Sequence, residues 1–177
     1  MKRALHLTRR FFGALWPAPP PSSDDSWARS VLRPGEYDLW SRLPNHDRRH
    51  SIRVARRVEA ALAGTAYGED PRWPAVALLH DVGKLDARLG VFARVGATLA
   101  GAVGGHDMAP LWSEKRGITR RVGLYLRHPE LGADHIRVCG GSDVAARWAG
   151  AHHDPSQWDG TGIPTPVVAA LHAADDD

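Results

Sequence analysis

Apolar residues recur at three- and four-residue spacing along most of the chain, and no alternating apolar–polar run of useful length interrupts them. The clearest helix spans residues 47–63: Val54, Ala55, Val58, Ala61 and Leu62 form one stripe, and Gly64 stops it. Arg49, Arg53, Arg56 and Arg57 fall mostly off that stripe. Residues 74–84 are apolar nearly all round, the pattern of a helix at the centre of a core. Short helices are predicted at 26–32 and 36–43, with Pro34-Gly35 and Pro44 as breaks. Residues 87–104 are weakly helical, and "GGHDMAP" breaks the pattern. Three further helices follow: one over "ITRRVGLYLRH", one from Pro129 to about Cys139, and one from a Ser142-Asp143 cap to near His153. "DPSQWDGTGIPTP" reads as a loop before a last helix over 166–175. The class is all-α.

The length, 177 residues, suits one domain that buries a sizeable core without disulfides. The single cysteine, Cys139, precludes an intrachain disulfide and fits a reducing compartment, so a cytoplasmic location is expected. Residues 1–24 read as a basic arm and Pro/Ser linker, and 25–177 as the helical domain. "TRRFFGALW" has the look of a twin-arginine export signal, but its apolar stretch is only about six residues where a signal needs roughly 7–15. No stretch is long and apolar enough for a membrane span. A net charge of +3, with arginines scattered along the chain, points to a small anionic ligand rather than to nucleic acid.

His-Asp pairs occur four times, and their contexts differ. His106-Asp107 lies among glycines and a proline and reads as loop. His46-Asp47 opens a helix, where the aspartate serves as cap or dipole partner. His153-Asp154 opens a proline-containing loop. Only His80-Asp81 falls within an apolar helix, where the carboxylate needs a compensating partner: a cation, or an arginine. His50 continues the stripe of its helix through 54, 58 and 61, either as a hydrogen-bonded core residue or as a ligand. Asp175 ends "VVAALHAAD" on a similar face. Two imidazoles and two carboxylates suit a divalent Mn, Fe, Co, Ni or Zn ion.

Taken in order, "RRHSIRVARRVEAAL", "ALLHDVGK", "RHPELGADHI", "AHHDPSQWDGTGIP" and the terminal "AAD" resemble the HD superfamily of metal-dependent phosphohydrolases, and within it the HD-GYP branch. The resemblance covers residues 46–177 and implies an HD-type helical bundle. It places a mononuclear ligand set on His50, His80, Asp81 and Asp175. The branch with more than one metal adds His128, His152 and His153, with Asp81 bridging two ions. Lys84, one turn beyond the pair, is placed in the family to contact the phosphate; on its own it could equally be a solvated helix-end lysine. The chain also departs from the branch. Asp154 stands for the glutamate of HHE, two extra residues precede Asp159-Gly160, and Ile163 stands for the tyrosine of GYP.

The reaction this implies is hydrolysis of a phosphoester or phosphoanhydride of a nucleotide or related small phosphate. A metal-activated water attacks, and Asp81 orients or deprotonates it. Arg120, Arg121 and Arg127 could steer the anion or form a solvated helix face. The departures in the GYP element point away from cyclic di-GMP as the preferred substrate. Two other classes fit less of the sequence: a metal- and nucleotide-binding module without turnover, and a nucleic-acid binder resting only on the basic arm.

Overall fold

The computed structural model describes residues 18–101 and 106–176. The described residues are all-α: eleven α-helices, one 3-10 segment and no strand. The twin-arginine-like stretch and most of the basic arm lie outside the described residues.

The first helices start earlier than their sequence signals. α1 (Ser22–Val31) begins within the Ser/Asp end of the predicted linker, its N-terminus marked by Pro21 and favoured by Asp24 and Asp25 in the first turn. α2 (Pro34–Ser41) begins at the proline read as a break, because the first helical position needs no N–H. α3 (Asn45–Leu62) carries the predicted stripe and buries Val54, Ala55, Val58 and Leu62. Ala61, at the stripe's edge, is exposed, and Ser51 and Ile52 are buried instead.

α4 (Arg72–Leu79) is buried at Trp73 and at every later position, as its apolarity predicts. It ends five residues early. Residues 80–83 form successive tight turns, with Val82 N–H to Leu79 O at 3.2 Å and Lys84 N–H to Asp81 O at 3.0 Å. His80-Asp81 therefore lies just beyond an apolar helix, not within it. Lys84 opens the short α5 (Lys84–Ala87), so it is not a lysine at a helix C-terminus.

α6 (Val91–Ala100) and α7 (His106–Ser113) follow. His106-Asp107 opens a helix rather than lying in a loop, and Pro110 sits inside it. α8 (Gly117–Leu126), α9 (His128–Val138), α10 (Asp143–Ala151) and α11 (Thr165–Asp176) match the predicted helices closely. The expected loop after α10 contains a 3-10 segment, Pro155–Thr161. Ser142 does precede α10, but its side chain makes no cap bond. Instead the buried Glu36 accepts from the N–H of Ser142 at 2.7 Å and from that of Arg33 at 2.9 Å, tying α2 to α10.

The main core joins α1–α4 to α9, α10 and α11 around Trp40, Leu78, Leu79, Ile136 and Leu171. α3 packs on α4 and α11, and α9 on α10. A smaller apolar cluster, Ala87, Leu89, Ala97 and Leu124, joins α6 and α8 to the region after α4. No described helix is long and apolar enough to cross a membrane.

Candidate metal centre

Five segments bring their polar side chains to one place beside the main core. α3 supplies His50, the turns after α4 supply His80 and Asp81, and the first position of α9 supplies His128. The end of α10 supplies His152 and His153, and α11 supplies Asp175. All seven metal-ligand candidates of the sequence meet here.

They form two groups. Ligand atoms of His50, His80 and Asp175 lie within 4.8 Å of one another, as do those of His128, His152 and His153. Donors on opposite sides of one ion stand about 4.2 Å apart at bonds of about 2.1 Å, so each trio has roughly the size of one coordination shell. Asp81 stands between them. Its Oδ2 is 3.3 Å from His80 Nε2 and 4.0 Å from His50 Nε2. Its Oδ1 is 3.4 Å from His128 Nε2 and 3.8 Å from His152 Nε2. One carboxylate oxygen thus faces each trio.

Three of the imidazoles are oriented by the same device. Nδ1 of His80, His128 and His152 lies 2.8, 2.7 and 2.8 Å from the backbone carbonyl three residues earlier, of Ala77, Tyr125 and Ala149. An N–H on Nδ1 donates to that carbonyl, which turns Nε2 to the centre: as a lone-pair nitrogen in the neutral rings of His128 and His152, and in His80 once a cation displaces the proton that Asp81 and Asp175 favour there. These three Nε2 atoms and Asp81 Oδ1 are all buried and none makes a hydrogen bond. A buried polar atom left unpaired costs about 1–3 kcal/mol, so four in one spot is an arrangement that a cation repays. The donor set, imidazole and carboxylate, is that of a first-row divalent ion.

Burial, reinforced by the neighbouring imidazoles, holds His152 well below the usual histidine range. Desolvation by the surrounding protein and the proximity of His128 push His153, though it is exposed at the surface, down to about 4. Burial also lowers His128 and His50, against the pull of the nearby carboxylates. His80 differs: burial opposes its charge, but Asp81 and Asp175 outweigh it and raise the imidazole to about 10. Asp81 is held ionised against burial by Lys84 and His80, and Asp175 by His80 and His50. His50 Nε2 is 2.9 Å from Asp175 Oδ1.

Lys84 Nζ donates to Asp81 Oδ2, and its side chain is only 12% exposed. It belongs to the centre and is not a solvated surface lysine. The aspartates of two other His-Asp pairs are engaged elsewhere. Asp47 is gripped by both Nη atoms of Arg94, at 2.6 and 2.8 Å. Asp154 caps the 3-10 segment, accepting from the Ser156 N–H and hydroxyl and from Gln157. Ile163 is buried in the main core. Arg127 pairs with Glu130 and donates to Ser113, away from Arg120 and Arg121.

Sequence reasoning missed Arg94, whose partner lies 47 residues away, and the orienting carbonyls, which carry no side-chain signal. Compared with known protein families, with characterised proteins and with solved structures, the chain matches none.

Proposed function

We propose that the chain is a metal-dependent phosphohydrolase of the HD type, acting on a phosphoester or phosphoanhydride of a nucleotide or related small phosphate. One observation carries this reading: four buried polar atoms without hydrogen bonds, on His80, Asp81, His128 and His152, are gathered around a single carboxylate. His50, His80 and Asp175 would hold one divalent ion and His128, His152 and His153 a second, with Asp81 shared. Such ions supply a water acidic enough to attack phosphorus at neutral pH and neutralise charge on phosphate oxygens.

The chain's own groups do the rest. Asp81, ionised and central, orients the attacking water or takes its proton. Lys84, already beside Asp81, is within a side chain's reach of a phosphate oxygen placed there and stabilises the charge that develops on it. The buried Ile163 leaves the GYP-like segment without the tyrosine of the cyclic-dinucleotide enzymes, which supports a linear substrate.

The test is turnover by the Mn- or Fe-loaded chain across mononucleotides, deoxynucleotides, guanosine polyphosphates, cyclic di-GMP and a chromogenic phosphoester. Metal-dependent hydrolysis is expected, with kcat/KM for cyclic di-GMP below that for a linear nucleotide. Full metal loading without turnover of any of them would replace this reading with a metal- and nucleotide-binding module.

A further inference from the structure

Next to the metal centre lies an open cleft of about 960 Å3 between the α5–α6 segment and α8. Six cationic side chains line it: Arg42, Lys84, Arg88, Arg94, Arg120 and Arg121. Lys84 belongs to both places, since its amine donates to Asp81. Arg94 is committed to Asp47. The other four arginines are exposed and form no ion pair among the described residues. The lining carboxylate, Asp86, is engaged by His135 Nε2 at 2.7 Å.

Four uncommitted guanidiniums converge from the end of α2, the end of α5 and α8. Arg88 is held there in the left-handed region, at φ 47°, the one described non-glycine residue with positive φ. A single phosphate monoester carries about two negative charges and leaves half of this cluster unmatched. A linear chain of phosphates matches it. Guanidinium groups also suit phosphate oxygens through paired N–H donors. Apart from His46, no aromatic ring lines the cleft among the described residues. A base therefore finds no stacking platform there, which disfavours a nucleic-acid strand.

We infer that this cleft is a polyphosphate subsite: it binds a linear run of two or more phosphates beyond the one at the metal centre, by charge and without selecting a base. The inference rests on the hydrolase reading for which phosphate reacts, but the binding itself does not need metal or turnover.

The experiment measures calorimetric binding of inorganic tripolyphosphate and of orthophosphate to the metal-free full chain. The same titrations are made on Arg120→Gln/Arg121→Gln, on Arg88→Asn (asparagine tolerates the left-handed backbone), and on Arg137→Gln, whose side chain is on the outer face of α9 with Asp134. Tripolyphosphate is expected to bind at least about tenfold tighter than orthophosphate, and the α8 double variant to lose about tenfold or more. Arg88→Asn is expected to weaken binding, Arg137→Gln to leave it unchanged, and His152→Ala to retain it, although a separate metal titration of that variant should show loss of the ion of its own trio. Equal binding by wild type and the α8 variant, no preference for tripolyphosphate, or tighter binding of an oligothymidylate of matched charge would overturn the inference. Retained tripolyphosphate binding in a metal-loaded chain that hydrolyses nothing would sink the hydrolase reading and leave the subsite standing.

Discussion

At the scale of single residues, Asp81 carries more of the centre than any histidine. One of its oxygens faces each trio, so Asp81→Ala is expected to abolish binding of both ions. His152→Ala should remove chiefly the ion of its own trio, and the exposed Asp107→Ala should change nothing. Elemental analysis of metal per chain, from two toward zero or one, checks each case. Asp47 makes a separate prediction. Burial opposes its ionisation, but the Arg94 fork outweighs burial and holds the carboxyl below its ordinary value of 3.8. A depressed folded pKa gives stabilisation that is complete above the unfolded value and lost as pH falls through the folded one. Removing one partner of such a buried pair costs about 3–5 kcal/mol. Asp47→Asn should therefore unfold well below wild type at pH 7, and the gap in Tm should narrow below about pH 4. The seven residues that meet at the candidate centre were legible in sequence because their types and order suggest that chemistry. Arg94 was not, because a salt bridge across 47 residues leaves no local mark.

At the scale of elements, sequence periodicity located nearly every helix and misjudged where several of them begin or end, α1, α2, α4 and α7 among them. The apolar run through Val82 predicts burial, and burial is found. Apolarity does not say where a helical ladder tightens, so the break at His80 was invisible. The turns that follow the break bring Gly83 against α9. A Cβ there would stand 2.0 Å from the carbonyl oxygen of His128 and 2.5 Å from the amide nitrogen of Gly132. The HD turn and the start of α9 thus touch backbone to backbone, which sets Asp81 against His128. Gly83→Ala should force the two apart, costing about 1–3 kcal/mol and weakening metal uptake by the His128 trio first. Thermal denaturation and metal titration of the variant check both effects; an unchanged Tm would show that the contact is not tight. His106-Asp107 was misread for a related reason, since glycine and proline mark a change of direction without excluding a helix that begins there.

At the scale of the molecule, the candidate ligands come from positions 50 to 175, on five separate segments. A metal held by them would therefore bind only the assembled fold, and its binding energy would add to the stability of that fold. Free Mn or Fe at 100 times Kd should stabilise the chain by about 2.7 kcal/mol for each ion bound, raising Tm by about 5–10 °C per ion. Chelation should reverse the shift, and Asp81→Ala should abolish it. A Tm indifferent to metal at saturating occupancy would contradict a centre built across the core. The all-α class was legible because the helical period runs through the whole chain. The cleft beside α8 was not: Arg42, Arg88 and Arg120 are far apart in sequence, and only packing makes them neighbours.

The backbone carbonyls that aim His80, His128 and His152 have a consequence for how the protein can change over generations. An orienting carboxylate can be lost by a single codon change. The carbonyls at 77, 125 and 149 are present whatever side chain those positions bear. The aim of these three rings thus does not depend on the chemistry of the side chains at its supports, and drift there disarms the centre only by moving the backbone, as a larger residue at the fully buried Ala77 or Ala149 would.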